Sequence, residues 1–395
     1  MPTIIASQIA VAQSLMIEPL DGAAHIDLSV VLPTFNEAVS IVSVLEQLMA
    51  HLDTVPGLTY ETIVVDDDSP DRTWEKAERL AETRPQVRVL RRQKERGLST
   101  AVIRGWQVAR GRILGVMDAD LQHPPEVTAQ LWQEMSRGAE LAIASRHIEG
   151  GGVSDWTLAR RIISRCAQMI GLAILPEVTA RVSDPMSGYF MISRNCIAGR
   201  ELNPLGYKIL IEVLGRGKVD WISEVPYTFR ERAEGSSKVT NKIYLQYVQH
   251  LLRIRMYLLK SSAFFRFCVV GMTGVAIDMS LLCLLSDPKM LGWGLTRSKI
   301  IAAEAALINN FIWNDLWAFS KLARHQNHIG QRLKRFLKFN AICGVGLILN
   351  VLILNVEFNA FHMNRYVANL VAIVIVTAWN YTTNWKLNWR VTARK

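Results

Sequence analysis

Two aspartates separated by one residue, Asp118 and Asp120, are the clearest candidates for a chemical role in this sequence of 395 residues. They directly follow an apolar run, residues 113–117, that is typical of a buried strand. Two carboxylates at i and i+2 in a turn can bind one hard cation, because Mg²⁺ and Mn²⁺ prefer oxygen ligands. Such a cation neutralises charge that develops on a leaving diphosphate. The pair therefore predicts a metal-dependent diphosphate site, with an acidic turn that binds nothing as the alternative.

A second acidic cluster, Asp66, Asp67, Asp68 and Asp71, also follows an apolar strand-like run. Crowded carboxylates repel one another unless a cation or hydrogen-bond donors bind them, and a nucleobase N–H or a ribose hydroxyl is such a donor. The cluster can also serve the turn and the start of the helix that begins near Thr73. We expect both uses, with Asp67 toward a nucleotide and Asp71 capping the helix.

The elements that must position these clusters alternate between strands and helices. Apolar runs of strand length occur at residues 29–32, 62–65, 87–90, 113–117 and 141–144, and helical patterns lie between them, as at 38–52 and 74–82. This alternation predicts a mainly parallel α/β sheet covered on both faces. Ligands of such sheets bind beyond the carboxyl ends of the strands. Residues 33–37 end the first strand there, and form the third side of the predicted crevice.

A different pattern begins after residue 263, where four apolar segments follow one another. They span residues 264–286, 300–319, 336–356 and 367–383. Each has about the length that a bilayer-crossing helix needs. Asp278 and Asn350 interrupt two of them and are expected to face the interior of a helix bundle, because charge in lipid is costly. Burial of four such helices in a soluble domain is the alternative.

These segments also resemble one another. Phe267, Gly274 and Asp278 match Phe339, Gly346 and Asn350 at a constant spacing, and the five residues from Asn310 resemble those from Asn380. The match predicts a duplicated two-helix hairpin.

Basic residues set the expected orientation. The loop between the second and third segments and the carboxyl-terminal tail carry most of them (Lys321, Arg324, Arg332, Lys334, Arg335, Lys338, Lys386, Arg390, Arg394, Lys395). Positive charge marks cytosolic loops, so the sequence predicts four transmembrane helices with both termini and the α/β domain in the cytosol. The net charge of +10 is partly explained in this way. No zinc-finger or RNA-binding motif accompanies it, so we expect no nucleic-acid partner.

The sequence thus divides into four parts: a leader (1–26), an α/β domain (27–240), an interfacial helix (241–262) and a four-helix membrane domain (263–395). Residues 156–174 and 243–259 mix apolar and basic residues at helical spacing, as helices in the headgroup plane do. An ordinary amphipathic surface helix is the alternative for both. None of the five cysteines has the spacing of a metal site or a redox pair.

The ordered motifs resemble family 2 glycosyltransferases, specifically the dolichol-phosphate mannose synthase group. They are PTFNE (33–37), VVDDDSPD (64–71), DADLQHPPE (118–126), ASR (144–146), ISR (163–165), DPMSG (184–188) and GSSK (235–238). The membrane part resembles the GtrA-like family more loosely, through the repeated Asn-aromatic-x-x-Asn pattern. The family usually has Tyr where Phe35 stands, so a hydroxyl is lost and a base-stacking ring is kept.

The resemblance implies a GT-A fold and a role for each matching residue. It assigns Pro33, Phe35, Glu37, Val65 and Asp67 to the nucleoside, and Asp118, Ala119, Asp120 and Gln122 to the diphosphate and the metal, which is Mg²⁺ or Mn²⁺. It assigns Arg146, Arg232, Ser237 and Lys238 to phosphates and sugar. Asp184 is expected to orient the acceptor or the sugar, with a loop cap as the alternative.

The expected activity is inverting transfer of a sugar from a nucleotide-sugar to a polyprenyl or dolichyl phosphate in the bilayer. GDP-mannose is the first choice of donor and UDP-glucose the second, and a homo-oligomer is possible. A processive polysaccharide synthase is disfavoured, because the QxxRW motif of those enzymes does not occur. The alternative of another class is a lipid-sugar flippase or scaffold whose soluble domain binds nucleotide.

The polar loop 230–238 is the expected clamp for the acceptor phosphate. Gly235 permits close approach of the backbone to an anion, Arg232 offers a planar fork, and Lys238 a point charge. A mobile solvated loop that merely attracts anionic lipid is the alternative.

Overall fold

The computed structural model describes residues 4–5, 15–20, 22, 26–154, 158–230, 241–323 and 328–390. The chain divides into two compact units, residues 1–256 and 257–395.

The first unit is built on a mainly parallel sheet, as predicted. Its described strands are β1 (Ile4–Ile5), β2 (Ile26–Thr34), β3 (Tyr60–Asp66), β4 (Val87–Arg91), β5 (Gly111–Val116), β6 (Leu141–Ser145), β7 (Gly152–Val153), β8 (Phe190–Ser193), β9 (Ile222–Pro226) and β10 (Thr228–Phe229). The large sheet has the order β1-β4-β3-β2-β5-β8-β6-β9, and β7 pairs with β10. Only β8 runs antiparallel to its neighbours among these described strands.

Helices cover the sheet. Those of the first unit are α1 (Ile41–Leu52), α2 (Thr73–Thr83), α3 (Leu98–Val108), α4 (Val127–Ser136), α5 (Leu158–Ile174), α6 (Pro176–Thr179), α7 (Arg194–Ile197) and α8 (Ile209–Arg216), and α9 (Asn241–Ser261) begins in it. The apolar side chains of β2, α1 and α4 share one core. On α3, a Cβ at Gly105 would lie 2.6 Å from Val31 Cγ1. The helix therefore packs its backbone directly on β2.

The order of the strands decides which loops meet. The carboxyl ends of β4, β3, β2 and β5 follow one another along the sheet. The residues just beyond these ends are Arg92, Asp67, Phe35 and Asp118. The two acidic clusters therefore lie on the same edge as the turn after β2, as the sequence predicts.

The second unit consists of helices. They are α10 (Ala263–Ser286), α11 (Leu295–Trp313), α12 (Ser320–Ala323), α13 (Ile329–Asn359) and α14 (Arg365–Thr383), with wider π-helical turns at Asn314–Ala318 and Asn384–Arg390. Within the described residues, Ala263–Ser286 and Ile329–Glu357 are long and apolar enough to cross a bilayer. Asp278 lies on α10, is about one-fifth exposed and pairs with Lys299 of α11 at 2.5 Å.

The two hairpins of this unit share one close contact. A Cβ at Gly274 of α10 would lie 2.3 Å from the amide oxygen of Asn310 of α11. A Cβ at Gly346 of α13 would lie 2.4 Å from the same atom of Asn380 of α14. Each hairpin thus packs an asparagine against a glycine, and these are residues that the internal repeat aligns.

A buried polar cluster joins the two hairpins. Asp315, in the first π-helical turn, accepts hydrogen bonds from Arg335 at 2.9 Å and from the indole of Trp389 at 3.2 Å. All three residues are at most 3% exposed. A buried carboxylate requires such partners, because an unpaired charge in an apolar interior is costly.

Candidate nucleotide and metal site

The turn after β5 presents the Asp118–Asp120 pair. The Asp118 side chain is one-third exposed, whereas Asp120 is buried. The N–H of Gln122 donates to Asp120 Oδ1 at 3.1 Å, and Leu121 has a positive φ of 63°. A left-handed residue between the carboxylate and its N–H partner reverses the chain. The turn is thus fixed by its own hydrogen bond.

Gln122 and Gly188 complete the surroundings of this turn. The amide nitrogen of Gln122 donates to Arg230 O at 3.1 Å, so Oε1 is the side-chain atom it can offer a cation. A Cβ at Gly188 would lie 3.6 Å from Asp118 Oδ2. Within the described residues no group of three or more His, Cys, Asp or Glu side chains is arranged to hold a metal. The chain's donors would be two carboxylates and one amide oxygen, a set that fits Mg²⁺ or Mn²⁺.

His123 holds the turn in place through a hydrogen bond to its backbone. Its Nδ1 accepts the N–H of Asp118 at 3.1 Å, and its ring stacks on Tyr189 with centroids 5.1 Å apart. Burial lowers the pKa of His123 to about 4. The imidazole is therefore neutral near pH 7, and it positions Asp118.

Arg146 and Asp184 form a buried pair beside the acidic turn. Arg146 donates from Nε at 2.7 Å and from Nη2 at 2.8 Å to the two oxygens of Asp184. Burial alone would raise the pKa of Asp184, but the hydrogen bonds and charge of Arg146 outweigh it and lower that pKa. Asp184 thus binds Arg146 with both oxygens. The expectation that it orients acceptor or sugar directly stays a prediction.

Lys208 is a basic residue at this site that the sequence patterns did not single out. Its Nζ donates to Met186 O, in the DPMSG loop, at 2.9 Å. Burial, then the neighbouring charge of Arg146, lowers the pKa of Lys208 to about 7, while Asp184 and Asp118 oppose that shift. No local motif marks Lys208, because the fold alone brings it to this loop.

The predicted nucleoside residues lie along the ends of β2 and β3. Pro33 and Val65 are register partners, and Phe35 is half-buried just beyond them. The N–H of Glu37 donates to Thr73 Oγ1 at 2.9 Å. Asp71 accepts the N–H of Thr73, the first residue of α2, at 3.0 Å. The N-cap position itself is occupied by Arg72 and not by Asp71.

Asp67 is held by the loop that follows β4. Arg92 donates from Nε to Asp67 Oδ1 at 2.7 Å, and the N–H of Gly97 donates to Asp67 Oδ2 at 2.8 Å. The Arg92 side chain is fully buried. Burial raises the pKa of Asp67, and the charge of Arg92 opposes this only in part. The sequence predicts that Asp67 lies toward the nucleotide, but it did not indicate Arg92. Other basic residues lie close to Arg92 in the sequence, so no pattern distinguishes it from them.

All of the expected acceptor clamp after Arg230 lies outside the described residues. Arg232, Ser237 and Lys238 belong to residues 231–240, of which the structure says nothing. The last described residue before them is Arg230, whose N–H donates to Gln122 O at 3.1 Å and whose guanidinium pairs with Glu126. The chain that enters the predicted clamp is therefore attached to the acidic turn.

Two family descriptions match the chain. Residues 29–197 match Glycosyl transferase family 2, and residues 266–389 match the GtrA/DPMS transmembrane domain. A dolichol-phosphate mannosyltransferase of Pyrococcus furiosus is 40% identical over 363 residues, which cover 91% of this chain and 99% of that protein. The protein of the same description from Saccharomyces cerevisiae is 35% identical over 59% of this chain and 88% of its own length.

Solved structures resemble the chain more distantly. A glucosyl-3-phosphoglycerate synthase from Mycobacterium tuberculosis, in complex with Mn²⁺, UDP and glucosyl-3-phosphoglycerate, is 23% identical with a TM-score of 0.43, covering 60% of this chain and 87% of that one. A mannosyl-3-phosphoglycerate synthase from Rubrobacter xylanophilus is 21% identical with a TM-score of 0.44, covering 58% and 73%.

Proposed function

The chain belongs to the dolichol-phosphate mannosyltransferases of glycosyltransferase family 2, and we propose that it transfers mannose from GDP-mannose to a polyprenyl phosphate. The product is a lipid-linked mannose. The Pyrococcus relative, similar over nearly the whole of both chains, carries the choice of sugar. UDP-glucose and the flippase or scaffold alternative have no comparable support.

The observation that carries the chemistry is the convergence of opposite charges at one edge of the sheet. Asp118 and Asp120 lie in the turn after β5, and the charges of Arg146 and Lys208 act on the same neighbourhood. A sugar diphosphate with a bound cation needs carboxylates on its metal side and donors on its phosphate side. The arrangement supplies both.

The acceptor needs little activation. A phosphate monoester has a second pKa of about 6 and is largely dianionic at neutral pH. Its oxygen attacks the anomeric carbon of mannose while the bond to GDP breaks, so that a single displacement inverts the anomeric centre. The task of the protein is to hold two anions in line. Arg146, kept rigid by Asp184, is the donor for the phosphates.

The divalent cation, Mg²⁺ or Mn²⁺, would be held by Asp118, Asp120 and Gln122. When bound, it neutralises negative charge on the departing GDP. Ala119, between the two aspartates, offers its backbone to the diphosphate. Pro33, Phe35, Glu37, Val65 and Asp67 serve the nucleoside, and Arg232, Ser237 and Lys238 serve the acceptor phosphate.

The carboxyl-terminal unit belongs to a membrane protein family. We propose four spans, formed by α10, α11, α13 and α14, with both termini and the catalytic unit in the cytosol. The proposed parts are a leader (1–26), a catalytic domain (27–240), an interfacial helix (241–262) and a membrane domain (263–395). Labelling of a cysteine placed in the tail tests the orientation: labelling from the non-cytosolic side of intact membranes contradicts it.

A transfer assay tests the proposed activity. Purified full-length protein is incubated with polyprenyl phosphate, Mg²⁺ and one of two radiolabelled donors, GDP-mannose or UDP-glucose. We expect label from GDP-mannose in the organic phase, and none when EDTA is present. Transfer from UDP-glucose alone contradicts the choice of sugar. Absence of transfer from either donor by folded protein contradicts the enzyme, and full turnover in EDTA contradicts the metal.

A further inference from the structure

The loop between β4 and α3, residues 92–97, lies beside the ring of Phe35. Arg92 ties one end of the loop to Asp67, and the N–H of Gly97 ties the other end to the same carboxylate. Arg92 also donates from Nη2 to Gly97 O at 3.0 Å and from Nη1 to Thr100 Oγ1 at 3.1 Å. The two ends of the loop are therefore fixed to each other and to the end of β3.

Gly97 sets the path of the loop at its second anchor. Its φ is 126°, a conformation that residues with a side chain rarely adopt. The chain can therefore turn sharply into α3 immediately after Arg96. The position of Arg96 follows from this anchored turn.

Arg96 projects from the loop over Phe35. Its guanidinium carbon lies 5.3 Å from the centroid of the Phe35 ring. Arg96 is exposed and Phe35 is half-buried. Among the residues that the structure describes, Arg96 forms no ion pair. A planar cation is thus held opposite an aromatic ring at the nucleoside end of the site.

We propose that Arg96 is the second wall of the nucleobase pocket and stacks on the base whose other face lies against Phe35. The proposal rests on the function given above, because the base belongs to the nucleotide-sugar. A guanidinium plane stacks well on an aromatic heterocycle, and an ammonium does not. This wall matters here because Phe35 can offer the base a ring face and no hydroxyl.

The base enters between two groups that are now close together. A base stacked between them needs ~7 Å from the guanidinium to the Phe35 ring, which is two contacts of ~3.5 Å each. Arg96 must therefore move away by about 2 Å from its present 5.3 Å. The long exposed side chain can do so by changing rotamers, while Arg92 and Gly97 hold the loop. The stack forms only when a base is present, so Arg96 acts on donor binding.

Lys94 provides a matched control. It lies in the same loop, is also exposed and carries the same charge. A general attraction of the loop for anionic nucleotides would involve both residues equally. A stacking role belongs to Arg96 alone.

The experiment compares Arg96→Ala, Arg96→Lys and Lys94→Ala in the full-length protein in detergent. GDP and inorganic pyrophosphate are used as competitive inhibitors of mannose transfer. We expect Arg96→Ala and Arg96→Lys to weaken inhibition by GDP about fivefold, as loss of a solvent-exposed cation–π contact does. Inhibition by pyrophosphate, which has no base, and kcat at saturating GDP-mannose should each change less than about twofold.

Three results would each overturn the proposal. They are unchanged GDP inhibition in Arg96→Ala, an equal loss in Lys94→Ala, and a pyrophosphate effect as large as the GDP effect. Full recovery in Arg96→Lys would reduce the role to point charge and also overturn stacking. Direct GDP titration by calorimetry separates this from the proposed function: protein that binds GDP in an Arg96-dependent way but transfers no mannose contradicts only the latter.

Discussion

Replacement of Asp184 by Asn tests whether the buried pair with Arg146 builds the phosphate side of the site. The variant keeps the shape of the side chain and removes its charge. Asp184 is fully buried, and the Arg146 side chain is only 8% exposed. The guanidinium would then remain in the interior without its counter-charge, and one of the two oxygens that accept its hydrogen bonds would be replaced by an NH₂ donor.

The size of the effect follows from that burial. Breaking a buried ion pair by removing one partner costs about 3–5 kcal/mol, because the other charge stays desolvated. Asn keeps one acceptor oxygen, so we expect the lower end, ~3 kcal/mol. We also expect kcat to fall by about a hundredfold or more, since a displaced Arg146 no longer meets the developing charge.

Thermal unfolding in detergent and steady-state transfer measure the two effects. The pKa of Asp184 is lowered in the folded state, so its stabilising contribution is present above the unfolded pKa of about 3.9 and is lost as the pH falls through the folded value. The difference in Tm between the native protein and Asp184→Asn should therefore narrow in acid. A variant with native Tm and native turnover at neutral pH would refute the reasoning.

Three further changes have expected outcomes. Asp120→Ala should abolish transfer while the Tm falls only slightly, and activity that survives would exclude Asp120 as an essential ligand. Gly274→Ala should lower the Tm by several degrees, because the new Cβ would clash with Asn310. The control Gly271→Ala, whose Cβ would have nothing within 4 Å, should leave the Tm unchanged. Equal Tm values for the two variants would contradict the close contact. Lys238→Ala should cut turnover by about a hundredfold without detaching the protein from membranes, and near-normal turnover at saturating acceptor would contradict the clamp.

The strands of the first unit could be predicted from sequence because both of their faces are buried. The predicted run 62–65 falls within Tyr60–Asp66, and the run 141–144 within Leu141–Ser145. The carboxyl ends then place Asp67 and Asp118 on one edge without further information. Local patterns are enough to predict the position of a residue that directly follows a buried strand.

Lys208 and Arg92 could not be predicted in this way. Lys208 reaches the DPMSG loop from a segment just before α8, and nothing near it in the sequence indicates a binding role. Arg92 is one of four basic residues between positions 91 and 96, and only its complete burial against Asp67 distinguishes it. Contacts that depend on tertiary packing produce no periodic pattern in the sequence, so they cannot be predicted from it.

The π-helical turns were missed for a related reason. The repeated asparagines at Asn310 and Asn380 were visible as a motif, yet the turns that follow them, Asn314–Ala318 and Asn384–Arg390, have no compositional signature. In the first turn, the Asp315 side chain is bound by Arg335, twenty residues further along. The π-helical conformation of this turn thus occurs together with a contact between residues far apart in the sequence, which a local pattern does not indicate.

The paired glycine–asparagine contacts bear on the order in which the second unit assembles during synthesis. Each contact joins two helices that are consecutive in the chain, so the first hairpin has its polar amide covered before the second has been translated. The Asp315–Arg335 pair forms only when α13 has emerged. The helices can therefore pack hairpin by hairpin, and Asp315 of the first hairpin gains its arginine partner when the second hairpin is made.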